Sequence, residues 1–391
     1  MRAALALLLV LVGCDAEATD APRHIGADGA PVDAPRGATS PEEEANPDAS
    51  PPSAASNGFV IRGEIESVYT RLGGQARFGA PKENERPGPG GVVQNFERGC
   101  IGPDGSGTWD AFTACEEPPD LGPVLVRIRE KVNARSARTS IAAGVQWLPT
   151  GARWSDFGDE AHVSASSPKW SWAMAAVLRE SVAKVEPAAV PTFVTSDNST
   201  AGQLIDLAGG IDAVNDFTVN KLGIPQSAFN LCYWNADRRR VASRCLQTMG
   251  GNNFFTPNGV LTFLDRAWKR AVVGREKGDK VLEWARLAPR TGDKAGGWLG
   301  TQLPAAARAS MAHKAGWLPP GCCSSDAEFN NMNEIGIVAT PRGSYAVAIL
   351  LDHGTDYWGA QRRSMEWASC VVYHAVARDS SDPFAAGCVE P

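Results

Sequence analysis

The chain has 391 residues, of which 21% are charged, and a formal net charge of −6 at pH 7. Its 40 glycines and 27 prolines indicate a soluble globular protein with flexible parts, and its length predicts two or three structural units. The sequence contains no basic patch, so no nucleic-acid partner is expected.

The N-terminal residues have the layout of an export signal. One arginine, a short apolar run and small residues precede Cys14. A run of about ten apolar residues is too short to cross a bilayer as a stable helix. Residues 11–14, Leu-Val-Gly-Cys, resemble the lipobox of bacterial lipoproteins. The resemblance implies removal of residues 1–13 and a lipid anchor on Cys14, with the protein facing the periplasm or the cell exterior. The alternative is an ordinary cleaved signal followed by an incidental cysteine.

Residues 14–57 are rich in Ala, Pro, Asp, Glu and Ser and contain almost no large apolar side chain. Such a segment cannot bury enough apolar surface to offset the entropy lost on ordering. It is therefore predicted to be a disordered acidic tether that lets the rest of the chain reach away from a membrane surface.

A small Gly-rich module is predicted at residues 58–118. Ile65, Val68 and Leu72 have helical spacing, and glycines after Leu72 are expected to end the helix. The module contains Leu72-Gly73-Gly74, Phe78-Gly79-Ala80-Pro81, Gln94, Phe96 and Gly99. On these residues it resembles one LGFP repeat, which occurs in cell-wall-associated bacterial proteins. The ligand of the module is left open.

Besides Cys14, the chain contains eight cysteines, an even number that predicts disulfides in an exported protein. The simplest pairing joins Cys100 to Cys115 and Cys232 to Cys245, although sequence alone leaves the connectivity open. The chain has no C-x-x-C pair, and its five histidines lack zinc-ligand spacing. We therefore expect no metal site and no cofactor.

Residues 121–391 show mixed helical and strand patterns. Helices are predicted around 124–132, from Ser166 onward, at 199–210, at 212–223 and at 360–377, and strands at 139–149, 308–317, 333–340 and 345–352. Pro341-Arg342-Gly343 is predicted to turn the last two strands into a hairpin. This order predicts an α/β (α+β) domain in which an antiparallel sheet is flanked by helices.

Three short motifs occur in order along this region. They are Ser166-Ser167-Pro168-Lys169, Ser196-Asp197-Asn198 and Lys314-Ala315-Gly316. A serine hydroxyl becomes a good nucleophile when a neutral lysine one helical turn away removes its proton. Ser166 and Lys169 have this spacing, so they are the predicted nucleophile and base. The alternative for Ser166 and Lys169 is a helix cap beside a solvated lysine. For residues 196–198 it is a capping turn, and for Lys314 it is an ordinary strand lysine.

The triplet resembles the S-x-x-K, S-D-N and K-[T/S]-G motifs of the class A β-lactamases and D-Ala-D-Ala peptidases. The resemblance extends over residues 121–391 and implies their transpeptidase-like fold. It also implies that Ser196 relays a proton to the leaving group and that Asn198 holds the substrate amide. Lys314 would attract the substrate carboxylate, and the N–H of Trp317, directly after Gly316, would join that of Ser166 in an oxyanion hole.

The motifs are short and recur elsewhere. S-x-x-K also occurs at Ser181 and Lys184, and K-x-G also begins at Lys221 and at Lys294. We favour Ser166 because it opens an apolar helix, whereas Ser181 is expected at the charged distal end of that helix. Lys314 is favoured because it lies on a predicted strand, before the hairpin and the closing helix.

The spacing from Ser166 to Ser196 is about half that of the class A β-lactamases, so a shortened helical region is expected. Two further departures from the class A pattern affect the expected chemistry. Ala315 lacks the hydroxyl of the third motif, which would bond a substrate carboxylate. Between Gly223 and Thr256, where those β-lactamases carry the glutamate that activates the deacylating water, the only acidic residue is Asp237. Three arginines follow it directly, as expected for an ion-paired surface residue rather than a base.

The leading hypothesis is an exported, lipid-anchored serine hydrolase or transferase that forms an acyl-enzyme. Its expected substrate is a cell-wall peptide or a β-lactam-like amide, and deacylation is expected to be slow. One alternative is a non-catalytic envelope-binding lipoprotein that retains the fold. The other is a glutaminase-type amidase on the same fold.

Overall fold

The structure is a computed structural model in which Ala55–Pro391 form one compact unit. Within this unit it describes residues 58–136, 138–234, 240–246, 252–290, 296–321, 329–353 and 357–391. The predicted leader, Cys14, the tether, Asp237, Lys294, Cys322 and Cys323 lie outside the described residues. Among the described residues, no helix combines the length and apolar character needed to cross a bilayer.

The N-terminal module consists of two short helices and a four-stranded antiparallel sheet. Its elements are α1 (Gly63–Arg71), α2 (Gly74–Phe78), β1 (Arg86–Gly88), β2 (Gly91–Phe96), β3 (Gly99–Pro103) and β4 (Trp109–Phe112), and the strands lie in sequence order. The helical spacing seen in the sequence buries Ile65, Val68 and Tyr69 on one face of α1. These side chains pack with Phe78 and Phe96 into a small separate core.

The second region is built on a larger antiparallel sheet. The strands of this region, which belong to more than one sheet, are β5 (Ser140–Trp147), β6 (Arg153–Asp156), β7 (His162–Val163), β8 (Phe229–Asn230), β9 (Tyr233–Trp234), β10 (Arg240–Val241), β11 (Phe254–Phe255), β12 (Ala312–Leu318), β13 (Asn331–Thr340) and β14 (Gly343–Asp352). The large sheet has the order β12-β13-β14-β5-β6, and a smaller sheet has the order β7-β11-β8. The predicted antiparallel sheet with a terminal hairpin is confirmed, and β12 forms one edge.

Helices cover both faces of the large sheet. They are α3 (Gly122–Arg135), α4 (Lys169–Arg179), α5 (Val182–Val194), α6 (Asn198–Leu207), α7 (Ile211–Asp216), α8 (Pro257–Trp268), α9 (Arg275–Ala285), α10 (Ala305–Ser310) and α11 (Arg362–Ala377). Short π-helical segments at Phe217–Lys221 and Tyr357–Gln361 follow α7 and precede α11, and 3₁₀ turns lie at Trp298–Gly300 and Pro383–Ala385.

The alternation of side chains along β14 explains how one sheet supports two cores. Ala346, Ala348 and Leu350 face the core shared with α4 to α9. Val347 and Ile349, one residue out of phase, face the core shared with α3 and α11. Because successive side chains of a strand point to opposite faces, a continuous apolar strand can be buried on both sides.

Some predicted boundaries differ from the structure. Residues 308–310 were expected in a strand but end α10, and β12 begins at Ala312. The segment 212–223 forms α7 followed by a π-helical segment rather than one regular helix. Ser181 was placed at the distal end of the helix that contains Lys169, but α4 ends at Arg179 and Ser181 is the N-cap of α5. The sequence did not reveal this break, because a short connection between two helices contains the same types of polar residue as the end of one helix.

Among the cysteines that the structure describes, three disulfides hold loops to the folded body. Two are the proposed pairs, Cys100–Cys115 and Cys232–Cys245. The third, Cys370–Cys388, ties α11 to the C-terminal segment and was not predicted.

The N-terminal module packs against the end of the large sheet that carries the β13–β14 hairpin. The backbone N–H of Thr113 donates to the Pro341 carbonyl at 2.8 Å, and the Trp268 indole N–H donates to the Asp104 carbonyl at 3.0 Å. β13 begins at Asn331, at the end of the strand away from the hairpin. At about 3.3 Å per residue, roughly 23 Å separates Asn333 from the hairpin residue Thr340.

Candidate active site

The candidate nucleophile lies on a turn between β7 and α4. The backbone at Ala165 has φ 46°, a left-handed conformation that a residue with a Cβ rarely adopts. Ser166 follows directly and is partly exposed. The sequence predicted that the helix opens at Ser166, but the regular helix begins at Lys169, whose backbone N–H donates to the Ser166 carbonyl at 3.2 Å. Ser166 and Lys169 therefore retain the one-turn relationship although Ser166 precedes the helix.

Strand β12 approaches this turn closely at Gly316. A Cβ placed on Gly316 would lie 2.6 Å from the backbone nitrogens of Ser166 and Ser167 and 2.7 Å from the Ser164 carbonyl oxygen. These are backbone atoms, so a side chain could not be accommodated by moving a flexible group. Glycine at this position lets the edge strand lie against the nucleophile turn and brings Trp317, the next residue, to the same place.

Lys169 is fully buried, and its amino group has polar partners on the segment between α5 and α6. Lys169 Nζ lies 2.6 Å from the Ser196 carbonyl oxygen and 2.8 Å from Asn198 Oδ1, with Ser196 Oγ at 3.3 Å. Burial, followed by the nearby Lys314 charge, holds the pKa of Lys169 well below 10.5, while Asp197 opposes this shift. A neutral amine has two N–H groups, and the two shorter contacts occupy both, so its lone pair is free to accept a proton.

Ser196 occupies the centre of the site. Its backbone has φ 57°, and the residue is buried, with a relative exposure of 8%. Ser196 Oγ lies 2.9 Å from Lys314 Nζ and 3.3 Å from Lys169 Nζ. The hydroxyl is thus placed to receive a proton from one amine and donate its own elsewhere.

The residues that follow Ser196 begin α6. The Asp197 carboxylate accepts from the Thr200 backbone N–H at 2.7 Å and caps the helix. The capping interpretation is thus correct for Asp197. Asn198, the first residue of α6, directs its amide oxygen to Lys169 instead. One short motif therefore both caps a helix and contributes two residues to the site.

Lys314 is buried on β12 and completes the polar cluster. Its Nζ donates to Ser196 Oγ and, at 2.8 Å, to the Ala315 carbonyl. Burial lowers the pKa of Lys314 to about 7, although the Glu334 carboxylate opposes the shift. Near neutral pH, Lys314 is therefore divided between its charged and neutral forms.

A buried acid–base pair, His313 on β12 and Glu334 on β13, joins these two neighbouring strands. Glu334, which is opposite Ala315 in the strand register, lies 2.5 Å from His313 Nδ1. The Glu334 carboxylate also accepts from the backbone N–H groups of Gly297 and Leu299. Ala315 itself is buried in the core shared with α3 and α11. The position that lacks a hydroxyl thus holds a packed methyl group.

A second polar network, which no sequence motif indicated, holds the strand before the nucleophile. Asn331 donates to the Val163 carbonyl at 2.7 Å and to Asp352 Oδ1 at 2.7 Å. His162 Nδ1 lies 2.8 Å from Asp352 Oδ2, and Asn333 also donates to the Val163 carbonyl. The network joins β7 to β13 and β14. Buried asparagines on an otherwise apolar strand were the available signal.

Sequence motifs also did not indicate Trp234, which lies over Lys169. The centre of its indole ring is 5.1 Å from Lys169 Nζ, and its N–H donates to the Asn198 carbonyl at 3.2 Å. It also packs edge-on against Trp172 at 4.7 Å between ring centres. An aromatic residue two positions after Cys232, inside a short disulfide loop, was the only available signal.

The two repeated motifs that the structure describes do not assemble into a second site. Ser181 and Lys184 are both exposed, and the Lys184 amine pairs with Glu180 at 2.8 Å. Lys221 is exposed at the end of a π-helical segment. In contrast, Ser166, Lys169, Ser196, Asn198, Lys314, Gly316 and Trp317 come together at the boundary between β12 and the helical region.

One group of side chains among the described residues has the spacing of metal ligands: Cys370, His374 and Cys388. The two cysteines are joined in a disulfide, so neither offers a free thiolate. This group supplies no site for a catalytic ion.

A five-stranded antiparallel sheet, a helical region on one face and a Ser-Lys-Ser-Lys cluster at their boundary define the class of serine β-lactamase-like folds. The model of the beta-lactamase enzyme family matches residues 172–369, about half of the chain. The chain belongs to the beta-lactamase enzyme family. The matched range begins just after Ser166 and Lys169, so these two residues rest on the geometry described above.

Solved structures show the same fold. TLA-1 extended-spectrum β-lactamase is 15% identical, with a TM-score of 0.52 over 65% of this chain and 99% of that one. A class A β-lactamase from Bacteroides cellulosilyticus is 17% identical, with a TM-score of 0.51 over 65% and 99%. PBP-A is 18% identical, with a TM-score of 0.50 over 67% and 99%. No curated protein sequence matches the chain.

Proposed function

We propose that this protein is a serine hydrolase or transferase that forms an acyl-enzyme at Ser166 with cell-wall peptides or β-lactam-like amides, and deacylates slowly. The observation that carries the proposal is the environment of Lys169. Its amine is buried, its pKa is lowered, and its two N–H groups are occupied, one turn from a partly exposed serine. A lysine in this state is a competent general base.

Acylation then proceeds with balanced proton transfer. The Ser166 hydroxyl proton passes to Lys169 Nζ while Oγ bonds to the amide carbonyl carbon and the carbonyl π electrons move to oxygen. The backbone N–H groups of Ser166 and Trp317 stabilise that oxyanion. On collapse the C–N bond breaks, the leaving nitrogen takes the proton of Ser196 Oγ, and the Lys169 ammonium returns one to Ser196. The contact between Lys169 Nζ and Ser196 Oγ that this return step needs is 3.3 Å long.

Lys314 and Asn198 are assigned to substrate binding. Protonated Lys314 attracts a substrate carboxylate, and the Asn198 side chain orients the substrate amide. A pKa of about 7 for Lys314 in the unliganded site favours anionic substrates, because a carboxylate beside the ammonium stabilises its charged form.

The proposed location is a bacterial cell membrane, with the protein facing the periplasm or the cell exterior. A lipid on Cys14, a tether at 14–57 and an LGFP-like module at 58–118 would precede the catalytic domain at 121–391. The leader pattern supports the anchor. The module contacts the hairpin end of the sheet, whereas Gly316 and Ser166 lie toward the other end. We expect the module to leave the site accessible to an envelope substrate.

The intact mass of the protein after exposure to a panel of β-lactams tests the function. We expect a stoichiometric adduct that is lost in Ser166→Ala and retained in Ser181→Ala. The control serine belongs to the same type of motif but lies exposed at a helix cap. A wild type that is never labelled would favour the non-catalytic binder, and turnover of glutamine would favour the amidase. Labelling that moves with Ser181 would show that the nucleophile is misassigned.

A further inference from the structure

A large apolar side chain, Trp234, lies over the amine of Lys169. The ring centre lies 5.1 Å from Nζ, and Trp234 is itself only 7% exposed. The carbonyl oxygen of Ser196 and the amide oxygen of Asn198 occupy other directions around the same amine. The indole therefore covers one side of this buried amine.

Several independent contacts hold Trp234 in this position. Its indole N–H donates to the Asn198 carbonyl, so the ring is attached to the same residue whose side chain holds Lys169. Asn253 binds the preceding backbone through the N–H groups of Cys232 and Tyr233 and the Tyr233 carbonyl. The Cys232–Cys245 disulfide closes the loop around it. A side chain with so many restraints is positioned rather than loosely packed.

The position of the ring has consequences for both halves of an acyl-transfer cycle. An amine kept away from water stays neutral and can take the Ser166 proton, so acylation is favoured. Hydrolysis of the resulting ester needs a water molecule near the same base, and an indole presents only a C–H edge, a π face and an N–H that is already committed. It cannot accept a proton from water.

We infer that Trp234 is a positioning residue that keeps water away from Lys169 and blocks the hydrolytic water. The acyl-enzyme would then persist, and this inference rests on the proposed function. The bond that fails to break is the ester between Ser166 Oγ and the acyl carbon. Its cleavage would require water to add to that carbon and transfer a proton to a base, and the indole occupies the approach from the side of Lys169.

The first test measures the titration of Lys169 directly. Lysine labelled with ¹³C at the ε carbon is followed by NMR in wild type, Trp234→Ala, Trp234→Gln and Trp234→Phe. Admission of water in the Ala and Gln variants should raise the Lys169 pKa by at least about one unit, since burial is the leading cause of its depression. The Phe variant keeps an aromatic ring and should restore most of the wild-type value.

The matched control is Trp268→Leu. Trp268 is partly buried and also donates its indole N–H to a backbone carbonyl, that of Asp104, but it lies in the contact with the N-terminal module. The control should leave the Lys169 titration and the chemistry at Ser166 unchanged. A change of equal size in the control would show general loosening of the fold.

The second test follows the lifetime of the Ser166 adduct by intact mass. Trp234→Ala and Trp234→Gln should shorten it at least about tenfold, equivalent to 1.4 kcal/mol, and Trp234→Phe should not. An unchanged lifetime and an unchanged Lys169 titration in folded Ala and Gln variants would overturn the inference. If no β-lactam labels the wild type, the proposed function fails, and the NMR titration still decides whether Trp234 keeps Lys169 dry.

Discussion

Lys314 Nζ lies 2.9 Å from Ser196 Oγ, although the two residues are 118 positions apart in the chain. Ser196 Oγ is also within 3.3 Å of Lys169 Nζ. One hydroxyl thus joins two buried lysines whose pKa values are both lowered by burial. This arrangement makes the protonation of the lysines, rather than the identity of the serine alone, the main determinant of the expected chemistry.

Replacing Lys169 with alanine should reduce the acylation rate constant by a factor of about 10² to 10⁴, the usual contribution of a positioned general base. The rate of adduct formation is measured by quenching the reaction at successive times and recording the intact mass of the protein. In the wild type this rate should rise with pH through the lowered pKa of Lys169, because only the neutral amine accepts the Ser166 proton. Lys184→Ala, in the repeated motif, is the control and should behave as the wild type. Equal rates in Lys169→Ala and wild type would exclude Lys169 as the base.

Changing Gly316 to alanine should disable the site without unfolding the protein. The added Cβ would meet the backbone nitrogens of Ser166 and Ser167 at 2.6 Å, so β12 and the nucleophile turn must separate. We expect a loss of acylation of at least about 10²-fold, comparable to removal of one oxyanion donor.

The matched control is Gly122→Ala, at the start of α3. Its added Cβ would meet only the Asp120 carboxylate, at 3.1 Å, and that side chain is exposed and can move. This variant should acylate normally. If Gly316→Ala also acylates at the wild-type rate, the close approach of β12 is not needed for the chemistry.

The stability of the protein should increase with pH above neutrality because of Lys314. Its pKa is about 7 in the folded state and 10.5 in its ordinary state. Between these values the unfolded chain binds more protons than the folded one, so the free energy of unfolding rises with pH. One such group contributes at most about 1.4 kcal/mol per pH unit.

Chemical denaturation at pH values from 7 to 9 measures this slope. Lys314→Met should flatten the rise, whereas Lys184→Met, on the surface, should leave it as in the wild type. Lys169 contributes in the same direction, so part of the slope should persist in Lys314→Met. A slope identical in Lys314→Met and wild type would show that Lys314 keeps its charge when the protein folds.

Removal of the Cys232–Cys245 disulfide should destabilise the protein and weaken the covering of Lys169. The bond closes a loop with a sequence separation of 13. In the chain-entropy model such a loop contributes about 3 kcal/mol. Thermal melting of Cys232→Ser/Cys245→Ser measures the loss.

The double variant Cys370→Ser/Cys388→Ser is the control, because its bond closes a loop of similar length, with a separation of 18, on α11. Both variants should melt at a lower temperature. Only Cys232→Ser/Cys245→Ser, which opens the loop that carries Trp234, should shorten the adduct lifetime. Equal lifetimes in the two variants would disconnect this disulfide from the site.

Replacing Cys14 with serine should release the protein from the membrane fraction of the producing cells. Two or three acyl chains give a stable membrane anchor, whereas one binds only marginally. Partitioning into detergent and the mass of the mature N-terminus measure the effect. Unchanged partitioning of Cys14→Ser would exclude the lipid anchor, and a mature protein that begins elsewhere would exclude cleavage before Cys14.

Several structural elements of this protein could be predicted from short segments of its sequence. Strand alternation and a Pro-Arg-Gly turn were sufficient to predict the β13–β14 hairpin, and apolar spacing was sufficient to predict α1 and α11. The spacing of Ser166 and Lys169 was sufficient to propose a nucleophile and a base. These features depend on residues close in the chain, where sequence separation and distance in space are nearly the same.

Only the tertiary structure decided which residues surround that pair. The contact of Lys314 with Ser196 joins residues 118 positions apart, and Gly316 matters because β12 packs against a turn 150 positions earlier. Trp234 looked like any core tryptophan until its ring was found over Lys169. Burial and long-range contact set the pKa values and exclude water, and neither is a property of a short segment. The sequence by itself therefore determined the candidate reactive groups, and packing decided the state in which they are held.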